Sequence, residues 1–235
     1  MAERAQVLDA DPPAAAATIF GGRLALAEQY CEILATDGIT HGLMGPREIP
    51  RLWDRHVLNC AVIQELIDPE NSVVDIGSGA GLPGIPLAIA RPDLRVTLVE
   101  PLLRRATFLT RAVEILGLEV NVVRGRAEDV SVLRTVDPAD VVTSRALAPL
   151  ERLAKWSAPL IRDGGRLVAI KGSSAPEEID RDGASARRNG IDALRVEQCG
   201  TAYLDPATTV IVGVRSGGER PRGRKQKSPT RPRPQ

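Results

Sequence analysis

Between Val73 and Pro86 the chain reads Val-Val-Asp-Ile-Gly-Ser-Gly-Ala-Gly-Leu-Pro-Gly-Ile-Pro. The run Val73, Val74, Ile76 suits a strand buried on both faces, as in a parallel sheet. Gly77, Gly79, Gly81 and Gly84 then supply a turn whose backbone can approach a ligand closely. Ile85 to Ala90 can open a helix, with Pro86 tolerated in its first turn. Strand, glycine loop and helix in that order select an α/β fold with a binding site at a strand tip.

The alternation continues down the chain. Strands are expected at 95–99, 120–123, 140–143 and 165–170, with helices at 103–116 (closed by Gly117), from about 146 to 159, and from Ser174 to about Asn189. Ser174-Ala175-Pro176-Glu177 has the spacing of a capping box. No helix separates the strands near 194–198 and 208–214, so these two pair antiparallel. The sum is a doubly wound, mostly parallel, seven-stranded α/β sheet whose last strand is antiparallel. Ahead of it, apolar residues at helical spacing from Thr18 to Gly38 and again from Arg51 to Ile67 form an N-terminal helical extension, joined by a loop over 40–50. In the second helix Trp53, His56, Val57, Cys60, Ile63 and Ile67 share one face, with Arg51, Arg55 and Asn59 away from it. Four segments follow: a disordered N-terminus (1–17), the helical extension (18–71), the ligand-binding α/β domain (72–215) and a disordered basic tail (216–235).

Length and composition narrow the function classes. The chain's 235 residues hold one full α/β domain plus an extension. No apolar run approaches the roughly 20 residues needed to cross a bilayer, and no secretory signal opens the chain, so the expected location is the cytoplasm, with no membrane partner. Cys31, Cys60 and Cys199 are odd in number and lack paired spacing, which argues against disulfides and against a metal site. The net charge of +1 conceals an asymmetry. From Arg215 onward eight lysines and arginines face one acid, a tail of +7, which leaves residues 1–214 at −6.

Gly79-Ala80-Gly81-Leu82-Pro83-Gly84 fits the dinucleotide pattern G-x-G-x-x-G, a weak signal alone. Asp75 shifts the balance, because a carboxylate two residues before Gly77 repels a pyrophosphate and attracts the ammonium and sulfonium of S-adenosylmethionine. Glu100, ending the next strand, can accept hydrogen bonds from a ribose diol in either case. Ligands in open α/β sheets collect beyond the carboxyl ends of the strands. That rule gathers Asp75, Gly77, Gly79, Gly81, Leu82, Glu100, Ala127, Glu128, Ser144, Arg145 and Lys171 at one edge. Three readings stay open from these residues: a methyltransferase, a nicotinamide-dependent oxidoreductase, and a nucleic-acid-binding scaffold that uses only the tail and helix surfaces.

The Val-Asp-Ile-Gly-Ser-Gly-Ala-Gly-Leu-Pro-Gly-Ile-Pro stretch resembles the bacterial RsmG (GidB) family. So do Trp-Asp-Arg-His-Val-Leu-Asn at 53–59, Arg-Ala-Glu at 126–128 and Ser-Arg-Ala at 144–146. Members are class I, Rossmann-like methyltransferases that use S-adenosylmethionine to modify guanine N7 in small-subunit 16S ribosomal RNA. The resemblance spans about Leu24 to Val214. It implies cofactor contacts at Gly77, Leu82, Ala127, Glu128 and Arg145, Glu100 at the ribose, a monomer, a target in the decoding region, and aminoglycoside (streptomycin) resistance when the activity is lost. The family's Arg-His-x-x-Asp-Ser pattern departs here to Arg55-His56-Val57-Leu58-Asn59-Cys60, which removes an acid at position 59. Guanine N7 carries a lone pair and no proton, so positioning rather than a general base should dominate, with Arg145 and Lys171 as candidate catalytic groups. Arg47, Arg55, His56, Arg104, Arg105 and Lys171 are the candidate RNA contacts. With only two Trp, two Tyr and two Phe, a sheet-face stacking platform is not expected.

Overall fold

A computed structural model describes residues 11–217. The N-terminal extension begins at Ala14, inside the stretch expected to lack structure: α1 covers Ala14–Phe20 and α2 covers Leu24–Ile33, prolonged by a wide turn over Leu34–Gly38. Ala16, Ile19 and Phe20 are buried, so packing rather than propensity fixes this first helix. Within the expected loop, Pro46–Arg51 winds into a tight helical turn. The second long helix, α3, runs over residues 52–66, wide over Leu52–Leu58 and tight over Val62–Leu66. Its apolar face is buried as the spacing predicts, while Arg51 and Arg55 stay exposed.

The α/β domain then alternates: β1 Ser72–Ile76, α4 Gly84–Ala90, β2 Arg95–Glu100, α5 Leu103–Leu116, β3 Val120–Arg124, α6 Val130–Thr135, β4 Ala139–Arg145, α7 Leu150–Ser157, β5 Ile161–Ile170, α8 Ala175–Arg188, β6 Ile191–Cys199 and β7 Thr208–Arg215. The strands form one sheet in the order β3-β2-β1-β4-β5-β7-β6. β7 alone runs against its neighbours β5 and β6. The order reverses between β1 and β4, which places the crevice of a doubly wound sheet beyond the ends of β1, β2 and β4.

Alternation along each strand sorts the core into two layers. Val73, Val141 and Val168 pack with α2 to α5 on one face, whereas Val74, Val142, Leu167 and Ala169 pack with α7 and α8 on the other. α5 ends as expected on a left-handed Gly117. α8 does begin after Ser174, but no side-chain capping bond forms there. Glu177, the acid of the expected box, is exposed, while its neighbour Glu178 accepts hydrogen bonds from the Leu150 amide at 2.6 Å and from Lys171 Nζ at 2.8 Å. The basic tail lies almost wholly outside the described residues.

Candidate functional site

The glycine loop leaves β1 in a conformation that its sequence requires. Gly77 has φ +68°, and a β-carbon there would press on the Leu147 side chain from the β4–α7 loop. At Gly84 a β-carbon would overlap Leu98 and the Asp75 carboxylate, so the first turn of α4 lies directly on the strands.

Two carboxylates hold this loop from behind. Asp75 is fully buried, and its Oδ2 accepts the Gly84 N–H at 3.1 Å. Its other oxygen is buried without a hydrogen-bond partner. Burial is the largest cause that lifts the Asp75 carboxyl to about 7, opposed by the Gly84 and Ser78 hydrogen bonds, with nearby Glu100 raising it slightly further. Glu100, also buried, accepts the Gly79 N–H at 3.0 Å and the Leu102 N–H at 3.0 Å. The extension adds a third restraint that sequence reading missed: the buried Tyr30 hydroxyl of α2 donates to the Ala80 carbonyl at 2.8 Å.

Two cavities meet at Gly77. The larger, about 400 Å³, is lined by the loop (Gly77, Ser78, Gly79, Leu82) together with Met44, His56, Arg105 and Arg145. The second, about 260 Å³, is lined by Ala127 and Glu128 from the segment after β3, together with Leu147 and Trp156. Of the residues singled out in the sequence, Gly77, Gly79, Leu82, His56, Arg105, Arg145, Ala127 and Glu128 therefore border these two neighbouring cavities, which share Gly77 and Leu147 as wall. Asp75, Gly81 and Glu100 stand behind the loop rather than in either cavity. Arg47, Arg55 and Arg104 are exposed on the surrounding surface.

Lys171 is placed differently from its expected role as an RNA or catalytic group. Its ammonium donates to Glu178 at 2.8 Å and to the Ala148 carbonyl at 2.9 Å, tying the tip of β5 to the β4–α7 loop and α8. It borders neither cavity. At position 59 the neutral residue has a structural partner: Asn59 Nδ2 donates to Thr208 Oγ1 at 2.8 Å, joining α3 to β7.

Sequence reading also missed Glu48. From the Pro46–Arg51 turn its Oε2 lies 2.7 Å from His56 Nε2, while Arg145 Nη2 lies 2.9 Å from His56 Nδ1. A guanidinium can only donate, so Nδ1 holds the lone pair and Nε2 carries the proton donated to Glu48. Burial, the largest influence, holds the His56 pKa below the ordinary histidine value against the opposing pull of Glu48. The imidazole is thus neutral near pH 7.

The internal carboxylates disfavour a dinucleotide. A pyrophosphate would need the loop amides and the N-terminus of the following helix. Here the Gly84 N–H is given to Asp75 and the Gly79 N–H to Glu100.

The comparisons with known proteins agree with this geometry. The family profile described as GidB, rRNA small subunit methyltransferase G, matches residues 23–206. Ribosomal RNA small subunit methyltransferase G of Mycolicibacterium gilvum is 56% identical over 92% of this chain and 96% of its own length. The protein of that name from Rhodococcus jostii is 62% identical over 86% of this chain and 88% of its own. Among solved structures, an O-methyltransferase family protein from Burkholderia thailandensis superposes with a TM-score of 0.54 at 14% identity, covering 81% of this chain and 63% of that one. Aeropyrum pernix fibrillarin, solved with natively bound S-adenosyl-L-methionine, gives 0.51 at 20% identity over 68% of this chain and 75% of its own. These two likenesses concern the fold, whereas the family profile and the close relatives together show that this chain belongs to the rRNA small subunit methyltransferase G family.

Proposed function

We propose that this enzyme transfers a methyl group from S-adenosylmethionine to guanine N7 of 16S ribosomal RNA in the decoding region. One observation carries the choice of acceptor atom. Among the described residues lining the larger cavity, His56 is the one side chain that could serve as a neutral base, and its lone pair already accepts from Arg145. A hydroxyl or amine nucleophile would need a group to take its proton, whereas N7 attacks with a free lone pair and needs none.

The residues present fit the cofactor. Asp75 Oδ1 is buried and unpartnered behind the loop, and a cation bound beside it would favour the ionised carboxylate over the protonated form that burial promotes. The smaller cavity, walled by Trp156, Leu147 and Ala127, suits a flat heteroaromatic ring, with Glu128 at its edge for polar contacts. The Glu100 carboxylate, spending one hydrogen bond per oxygen, keeps lone pairs for a ribose. Gly77 borders both cavities, Gly79 and Leu82 wall the larger one, and Gly81 supports the loop from behind. When bound, the cofactor supplies an electrophilic methyl on a sulfonium. The chain's own part is to exclude water, to align the base with that methyl and to stabilise the charge as it passes to the base. Arg145 and Arg105, facing the larger cavity, are the groups placed to orient the incoming guanine or its phosphates.

The RNA path continues over Arg47, Arg104 and Arg105. A separate cleft of about 490 Å³ is lined by Arg51 and Arg55 with Asp54 and Asp205, and there Tyr203 is an exposed aromatic able to stack on an unpaired base. No described helix is long and apolar enough to cross a membrane. The reading includes action as a monomer in the cytoplasm on the small ribosomal subunit, and streptomycin resistance on loss of activity. The test is transfer of labelled methyl to small-subunit particles purified from a deletion strain, followed by nucleoside mass spectrometry. 7-Methylguanosine is expected; a ribose or exocyclic-amine methyl would overturn the N7 assignment.

A further inference from the structure

Glu48, His56 and Arg145 come from three places in the fold: the Pro46–Arg51 turn, α3 and the end of β4. They form an unbroken line of hydrogen bonds, 2.7 Å from His56 Nε2 to Glu48 Oε2 and 2.9 Å from Arg145 Nη2 to His56 Nδ1. Only the last member carries its charge into the cavity. We infer that Glu48 and His56 are a positioning relay: Glu48 fixes the neutral Nε2–H tautomer of His56, and that tautomer alone offers Arg145 the lone pair that aims its guanidinium at the transfer site.

With Nε2–H donated to Glu48, Nδ1 must be bare, and a guanidinium has only N–H groups to present to it. Placing a proton on Nδ1 would set donor against donor and cation against cation across a 2.9 Å contact. Arg145 would then have to turn away. The charged and titratable groups facing His56 are few. Glu48 comes from the turn, Arg55 lies on the same helix with its Nε 3.7 Å from Glu48 Oε2, and Arg145 comes from β4. Cys60 stands beside Arg145, with Nη1 3.5 Å from its sulfur, and burial pushes its thiol up to about 11, so it contributes no charge near neutrality. Glu48 pulls the proton onto the ring; burial, Arg145 and Arg55 oppose it.

This inference rests on the N7 reading and makes it informative. A reaction that moves no proton has no acid limb of its own near neutrality, so an acid limb in kcat reports the protein. Two groups can produce one: His56 through Arg145, and Asp75, whose carboxyl is lifted to about 7. Asn at position 56 separates them, because its amide oxygen takes the place of Nδ1 as acceptor and does not titrate.

The experiment has two arms. The chain contains two histidines, so imidazole ¹⁵N spectra are assigned with a single His41 variant. At pH 7 His56 is expected as the neutral Nε2–H tautomer, and Glu48→Gln, which removes the charge that favours protonation, should move its titration to lower pH. A charged ring or an Nδ1–H tautomer at pH 7 overturns the relay. This arm requires no activity, so it judges the relay even if the enzyme transfers no methyl to small-subunit particles, a result that would instead strike the proposed function. In the second arm, kcat and KM for methyl transfer are followed from pH 5.5 to 8.5. His56→Ala should lower kcat about 10- to 100-fold, the worth of one hydrogen bond to a charged group, with KM for the cofactor changing far less. His56→Asn should restore most of kcat and flatten the acid limb. An acid limb unchanged in His56→Asn assigns it to Asp75 and overturns the relay, as does full kcat in His56→Ala.

Discussion

Asp75 illustrates how burial behind a loop sets the chemistry of a single carboxyl. The carboxyl is enclosed by β1, the glycine loop and α4, and half of its acceptor capacity is unused. Its pKa of about 7 lies above the ordinary value of 3.8, so folding favours the protonated form. In the unliganded protein this group's contribution to stability is therefore complete below about pH 4 and is lost as pH rises through about 7. A cation bound beside the loop reverses the preference. Binding S-adenosylmethionine should expel a fraction of a proton near pH 7, and affinity should tighten as pH rises from 6 to 8. Calorimetry in buffers of different ionisation enthalpy measures both effects. Asp75→Asn should abolish the proton release, and the demethylated product, with its neutral sulfur, should show less of it than the cofactor. Equal proton release with both ligands would show that the sulfonium charge does not act on Asp75. Tyr30→Phe tests a neighbouring restraint. It strands a buried Ala80 carbonyl, for a loss of about 1–3 kcal/mol, read as a lower urea midpoint at unchanged m-value.

Among the elements, the tip of β5 shows what a charged residue at a strand end can become. Lys171 and Glu178 are each mostly buried and bonded to each other. Lys171→Met should leave the carboxylate without its cation and lower stability by about 3–5 kcal/mol, and Lys171→Met with Glu178→Leu should recover most of the loss. Urea unfolding of the double-mutant cycle checks this, and RNA affinity of the refolded single variant should stay near that of the parent. The residue illustrates the limit of legibility. Strand periods, Gly117 and the Asp75-x-Gly77-x-Gly79-x-Gly81 run announce the sheet, its order of elements and the loop, because each signal is local and repeats with the geometry that it specifies. Partners supplied from elsewhere leave no such trace. Tyr30 meets Ala80 fifty positions away, and Arg145 reaches His56 across eighty-nine. Glu48 hides in a stretch that reads as a loop, and Trp156 belongs to the apolar pattern of α7 until the fold brings it beside Ala127. The same blindness made Lys171 look available and the Ser174 hydroxyl look like a cap.

At the scale of the whole molecule, charge is divided against itself. Residues 1–214 carry −6, which repels a polyanion, and the segment from Arg215 onward carries +7. Arg47, Arg55, Arg104 and Arg105 place local positive charge on the surface around the site, against the body's overall sign. Each arginine or lysine that neutralises a phosphate releases counterion and steepens the fall of log K with log salt by about 0.7 for single-stranded RNA and about 0.9 for a duplex. If the body alone meets RNA, the slope reflects only a few contacts and the tail is irrelevant to it. If the tail takes part, replacing its seven cations from Arg220 to Arg233 with Gln should flatten the slope by several units and slow association most at low salt, because steering depends on unscreened charge. We expect the second result, since the net repulsion of the body must be offset before the arginines at the cavity mouth can act. Binding of the full chain and the neutralised variant to small-subunit RNA, measured from 50 to 300 mM salt, decides the matter: parallel lines confine the RNA contacts to the body. Converging lines, with unchanged methyl transfer at saturating RNA, assign the tail to capture and the cavity to chemistry.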